Sequence, residues 1–215
     1  MSDTDQDQAT AREDLCRFLA ACYYEPAPEF TEEHLFESLL AAARCIDPEL
    51  AEHAQRLGDS FAAAPLQDLL VDYTRLFLGA PQALAQPYAS IWLTGEAGLM
   101  QDTAMELLKL YEQGGFAIDE NFQELPDHVA VELEFLYLLT HQLHQAQADG
   151  DAEALQALQV LRTAFLVGHL GRWLGGFILA VHDHAQTDFY RELAELTELF
   201  VRLEGQRQEA PVLRH

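Results

Sequence analysis

Pro65-Leu-Gln-Asp-Leu-Leu-Val-Asp-Tyr-Thr-Arg-Leu-Phe-Leu-Gly79 is the stretch on which the fold class turns. Leu66, Leu69, Leu70, Tyr73, Leu76 and Phe77 recur at intervals of three and four, which places them on one face of an α-helix. Pro65 suits a first helical turn, and Gly79 with Pro81 ends the run. No segment sustains the every-second-residue alternation of a strand, while helical spacing continues on both sides. The expected fold is therefore all-α, a single-domain multi-helix bundle.

Toward the N-terminus, Asp47-Pro48 reads as an N-cap with proline at the first helical position, opening a helix that carries Leu50, Leu57 and Phe61. A helix is expected over 31–44 with Leu35, Phe36, Leu39 and Leu40 inward. The first helix should begin at the capping box Thr10 and Glu13, and Pro26 and Pro28 stop it. Toward the C-terminus, residues 80–98 lose the periodicity but keep Tyr88, Ile91 and Trp92, as in an ordered loop. A helix over 100–113 should break at Gly114-Gly115, and a longer one is expected from Pro126 to Gln147. Residues 151–184 contain Gly168, Gly171, Gly175 and Gly176, which predicts a bend or a pair of helices admitting a close neighbour. Thr187 reads as the cap of a last helix ending near Leu203. The helical domain is expected over 10–204, with 1–9 and 205–215 flexible.

The chain has 215 residues, 49% of them hydrophobic, which suffices for one substantial core. Twelve basic against 36 acidic side chains give a formal charge of −24, which opposes binding to nucleic acid and to anionic membrane surfaces and favours a cationic partner. Between Leu110 and Leu161 there is no Lys or Arg. Cys16, Cys22 and Cys45 form no paired motif and fit a reducing compartment. Residues 1–8 are acidic and polar, unlike a signal peptide, and no apolar run is read as reaching the ~18 residues of a membrane span, so a cytoplasmic protein without stable membrane insertion is expected.

Ionisable groups enter an apolar helix start at one place, Glu124-Leu-Pro-Asp-His-Val-Ala-Val-Glu-Leu-Glu-Phe-Leu136. Asp127 and His128 would occupy the first turn, where a carboxylate meets free N–H groups and the positive end of the helix dipole. His128 and Glu132, four apart, would be neighbours on one face. Pairs such as His128 with Glu132, His141 with His144, or His182 with His184 could offer metal ligands. Neither a His-Glu-x-x-His sequence, nor the Glu-x-x-His repeat of di-iron bundles, nor a Cys/His zinc pattern is present. No phosphate-binding glycine loop or nucleophile elbow occurs either. Hence no cofactor, no metal and no catalytic role are expected, and a binding module is favoured over an enzyme; a helical metal- or haem-binding sensor is the reading from a different class.

Three segments resemble the TorD/DmsD/NarJ family of molybdoenzyme maturation chaperones. Asp72 to Gly79 followed by Gln86-Pro87-Tyr88-Ala89-Ser90 is similar to the family's Y-x-x-L-F…G…P-Y-x-S pattern. Glu124 to Leu136 resembles its E-P-x-D-H-x-x-x-E-L-E-F-L signature, and His169-Leu170-Gly171-Arg172-Trp173 with Phe177 resembles its late segment. The signature departs at one point: Leu125 stands at the family's proline position and Pro126 directly precedes Asp127, which shifts that proline's role.

The resemblance implies a TorD-like bundle that binds the twin-arginine signal, or the N-terminus, of the precursor of a molybdenum-cofactor oxidoreductase catalytic subunit and holds it for cofactor insertion before export. The alternative it implies is a NarJ-type assembly chaperone for a subunit that is not exported. Carried over by residue, peptide binding falls to Asp127 and His128 with Glu124, Glu132, Tyr73, Leu76, Phe77, Pro87 and Tyr88, joined by Tyr24. Tyr73, Leu76 and Phe77 also lie on an apolar helix face, so core and groove wall both fit them. Monomer and helix-exchanged dimer are both compatible with the family, with hinges in 80–98 and 114–125.

Overall fold

A computed structural model describes residues 3–79, 83–93, 99–118 and 124–209. Its helices are α1 (Asp3–Cys22), α2 (Glu29–Glu32), α3 (Leu35–Ile46), α4 (Pro48–Ala63), α5 (Leu66–Tyr73), α6 (Ala89–Trp92), α7 (Leu99–Gly114), α8 (Val129–Asp149), α9 (Ala152–Phe165), α10 (Gly171–His184) and α11 (Asp188–Glu209). One π-helical turn, Thr74–Leu78, extends α5, and a second, Leu166–Leu170, joins α9 to α10. Among the described residues there is no strand, only an isolated antiparallel bridge between Tyr88 and His128. The all-α expectation holds.

α8 is the central element. Val129 through Leu133, with Phe135, Leu136 and Leu139, are all buried, so its first half runs through the core, with Glu134 left partly exposed. α1, α7 and α9 pack against it. A second layer is built from α3 against α1, α4 against α3, and α11 against both α4 and α10. Tyr23 of the α1 terminus, Phe77 and Phe177 meet where the layers join, with ring centroids 5.7 to 6.3 Å apart.

Local signals are met where they were unambiguous. Asp47 Oδ1 accepts the N–H groups of Glu49 (2.8 Å) and Leu50 (3.4 Å), with Pro48 opening α4. Gly150 ends α8 with φ +70°, a left-handed conformation that favours glycine.

Several boundaries differ from the sequence reading. α1 starts at Asp3, so Thr10 lies within the helix and is not its N-cap. The helix expected over 31–44 is two, because His34 adopts φ 55° between α2 and α3. α8 starts at Val129 and not at Pro126, and its N-cap is His128. α11 continues through Gly205 to Glu209, and the Thr187 hydroxyl donates to Asp72 at 2.9 Å.

Residues Ala152–His184 form one 33-residue helical run in place of a separated pair. The π turn absorbs the misfit: the Gly171 N–H bonds the Leu166 carbonyl, and a Cβ at 171 would lie 2.8 Å from that oxygen. Of the four glycines, Gly176 admits a close neighbour, its added Cβ falling 3.2 Å from the Trp92 ring of α6. This run is long and apolar enough to cross a membrane by length and composition, with a window of mean hydropathy 1.5. Half of that window is buried, however, and Phe165, Leu170, Trp173, Phe177 and Val181 lie in the core.

Candidate functional site

The site forms where the chain after the first π turn crosses the start of α8. The Ala89 N–H donates to the Asp127 carbonyl (2.9 Å), and the Val129 N–H donates to the Pro87 carbonyl (2.8 Å), stitching Pro87-Tyr88 alongside Asp127-His128. Asp127 therefore serves a different helix from the one expected: its Oδ2 accepts the Ser90 N–H of α6 at 2.9 Å. The capping role on α8 passes to His128, whose Nδ1 accepts the Ala130 N–H at 3.1 Å. That bond leaves any proton of the neutral ring on Nε2.

His128 is only 2% exposed, and burial lowers its pKa to about 4 against the opposing pull of Glu124 and Asp127. It is held between two aromatic rings: Tyr24 stacks on it with centroids 6.0 Å apart, and Tyr88 meets it edge-on at 5.2 Å. Both tyrosines donate to carboxylates, Tyr24 to Glu134 and Tyr88 to Glu124, each at 2.9 Å. Burial and then these carboxylates push both phenols up, and Tyr73 is raised to about 12 by burial, Glu124 and Glu25. Glu124, Asp127 and Glu134 remain partly exposed.

Beside Glu124 lies a cavity of about 570 Å³ lined by Leu108, Tyr111, Phe116, Ile118 and Pro126, with Glu112 as a second carboxylate. Tyr111 fixes one wall by donating to the Pro126 carbonyl at 2.7 Å. Leu125, 57% exposed, stands next to it. Carboxylates thus border an apolar recess, an arrangement that can take a cationic head and an apolar body together.

The structure brings Tyr24, Pro87, Tyr88, Glu124, Asp127 and His128 together, with Tyr73 close enough to Glu124 to feel its charge. Three residues carried over from the resemblance lie elsewhere. Leu76 and Phe77 are buried, Phe77 packing on Tyr73, Phe177 and Tyr190. Glu132 is fully buried and is not a surface partner of His128; its carboxylate accepts from His169 Nε2 (2.7 Å) and Trp173 Nε1 (3.1 Å). The physical reason is that His128, as an N-cap with ψ 138°, lies outside the helical spacing that would align it with Glu132. Sequence reasoning missed Glu25, Glu134, Tyr111 and the cavity wall. Glu134 had a signal, since it stands two residues from Glu132 and so faces the other side of α8.

Of the His pairs considered as metal ligands, His141 and His144 both meet Glu13, at 3.1 and 2.7 Å. His53, Glu192 and Glu195 bring possible ligand atoms within 4.8 Å of one another, but Arg56 already bonds His53 (2.7 Å) and Glu192 (2.9 Å) there.

The sequence model of the nitrate reductase delta subunit family matches residues 43–179, well over half of the chain. The chain belongs to this family, that of the TorD-type redox-enzyme maturation chaperones. The TorD chaperone of Photobacterium profundum is 30% identical over 187 residues, 84% of each chain. That of Shewanella loihica is 31% identical over 181 residues, 80% of this chain and 78% of the relative. That of Escherichia coli O81 is 30% identical over 166 residues, 75% and 76%. A crystal structure from Archaeoglobus fulgidus, provisionally called a redox enzyme maturation protein, covers 90% of this chain and 93% of its own at 20% identity and a TM-score of 0.49, too distant to carry functional weight. TorD-type proteins are chaperones.

Proposed function

We propose that this maturation chaperone binds the basic, apolar N-terminal segment of a molybdoenzyme catalytic subunit precursor, a twin-arginine signal being the best-fitting occupant, and retains it in the cytoplasm until the cofactor is inserted. The observation that carries this reading is the pairing of Glu124, Asp127 and Glu134 with the adjoining apolar cavity. Guanidinium groups dock on carboxylates with matched fork geometry, and the apolar stretch that follows them in such a signal would fill the recess over Leu108, Phe116 and Ile118. With its pKa near 4, His128 stays neutral at physiological pH and does not repel the arginines.

Titration calorimetry of a synthetic twin-arginine signal peptide tests the reading. Glu124→Gln removes one charge from the rim while leaving an acceptor for Tyr88, and the expected loss is about tenfold in affinity. Unchanged affinity at low salt would remove Glu124 from the proposal. A peptide with both arginines replaced by glutamine should bind no more tightly than background. Equal binding of that peptide would favour the assembly-chaperone reading, in which an N-terminus without an export signal is the client.

A further inference from the structure

At the other end of α8, roughly 24 Å from His128 at 1.5 Å per residue, lies a second cavity, of about 610 Å³. It is walled by α1, α8, α9 and α11, and among the described residues no Asp or Glu lines it, in a chain with 36 acidic residues. Arg12, Arg162 and Arg207 line it instead, three of the chain's 12 basic residues.

Among the described residues, positive charge outnumbers negative at this cavity. Glu204 answers Arg12 through Oε1 at 2.6 Å and Arg162 through Oε2, so one buried carboxylate serves two buried guanidinium groups. The nearby carboxylate of Glu13 is engaged by His141 and His144. Arg207 adds a third positive charge, one turn beyond Glu204 on α11. Among the described residues, the buried Nε–H groups of Arg12 and Arg162 find no acceptor. A buried donor without a partner is costly, and an anion seated against these two guanidinium groups would ease the strain that the shared carboxylate leaves. Burial, then repulsion from Arg207 and Arg162, pushes the Arg12 pKa below its ordinary value despite the attraction of Glu204. Leu143, Leu155 and Val160 supply apolar wall beside the arginines.

We propose that this cavity is a binding site for a small organic oxyanion, a carboxylate or phosphate carried on an apolar body. The ligand's oxygens accept from the arginine donors and offset their excess charge, and its body packs on the leucine and valine side chains. The site is separate from the client surface and is expected to work whether or not that surface binds a twin-arginine signal.

Calorimetry of the full chain with phenyl phosphate and with benzoate tests this, with backbone amide NMR to locate the site. Saturable one-to-one binding of at least one probe, with shifts concentrated at 140–147 and 155–164, supports the proposal; which probe binds identifies the anion class. Arg207 is exposed, so Arg207→Gln should fold and weaken binding by about tenfold or more, whereas Arg172→Gln, on an exposed face of α10, should not. Arg162→Gln should abolish binding, its fold checked by circular dichroism. No saturable binding of either probe overturns the proposal, as does equal weakening by Arg207→Gln and Arg172→Gln, which would mark diffuse attraction.

Discussion

His128 shows how one side chain takes two duties from its surroundings. Its Nδ1 must remain unprotonated to cap α8, and burial enforces that by lowering its pKa from 6.5 to about 4. The unfolded chain then binds the proton that the folded chain refuses, so stability is complete above pH 6.5 and falls as the pH drops toward 4, by on the order of 3 kcal/mol from this residue. His128→Asn keeps a capping side chain and should flatten that slope in urea denaturation between pH 4 and 6.5. Glu132 acts in the opposite sense, since burial raises its pKa despite the hydrogen bonds from His169 and Trp173. Glu132→Ala leaves those two donors unanswered in the core, and a loss of about 3 kcal/mol in stability is expected. Peptide affinity of the folded variant should match that of the parent, and a large drop would return Glu132 to the binding site. Both residues were conspicuous in the sequence as ionisable groups on an apolar helix. Which stood beside the rim tyrosines and which deep in the core depended on where α8 begins, and cap geometry set that start three residues later than Pro126 suggested.

Among the elements, the join between α5 and α11 rests on Asp72. Its Oδ2 accepts from the Gln186 N–H (2.9 Å), the Thr187 N–H (2.8 Å) and the Thr187 hydroxyl (2.9 Å), and its Oδ1 from Arg75 (2.6 Å). A carboxylate here also faces the positive end of the α11 dipole. Asp72→Ala should cost about 2–4 kcal/mol by leaving these donors unpaired in a buried site. Amide exchange at Gln186 and Thr187 should rise more than at Ala130, and uniform acceleration across all three would show a merely global effect. The helix periodicity exposed the stripe that includes Tyr73, Leu76 and Phe77 but gave Asp72 no function, because the donors it holds at the α11 start are 114 and 115 residues away. The π turns were equally hidden, since residue types do not announce an extra residue in a turn; only the glycines around 171 hinted at one.

At the scale of the whole molecule, a charge of −24 should steer cationic partners toward the carboxylates of the candidate site. Association of a twin-arginine peptide, followed by stopped-flow fluorescence, should slow steeply between ~0.01 and ~0.15 M salt as the Debye length shrinks from ~30 to ~8 Å, with dissociation little changed. A salt-independent association rate would mean that the overall field contributes nothing. The sequence by itself determined the helical class, because three-to-four spacing of apolar residues is a property of neighbours along the chain. It also determined the segments that meet at the candidate site, through Tyr88, Glu124, Asp127 and His128. Tertiary structure decided which carboxylates are buried and which line the rim, that Leu76 and Phe77 belong to the core, and that Arg12, Arg162 and Arg207 share one cavity. Burial and charge balance depend on residues brought together from distant parts of the chain, and local spacing carries no record of that meeting.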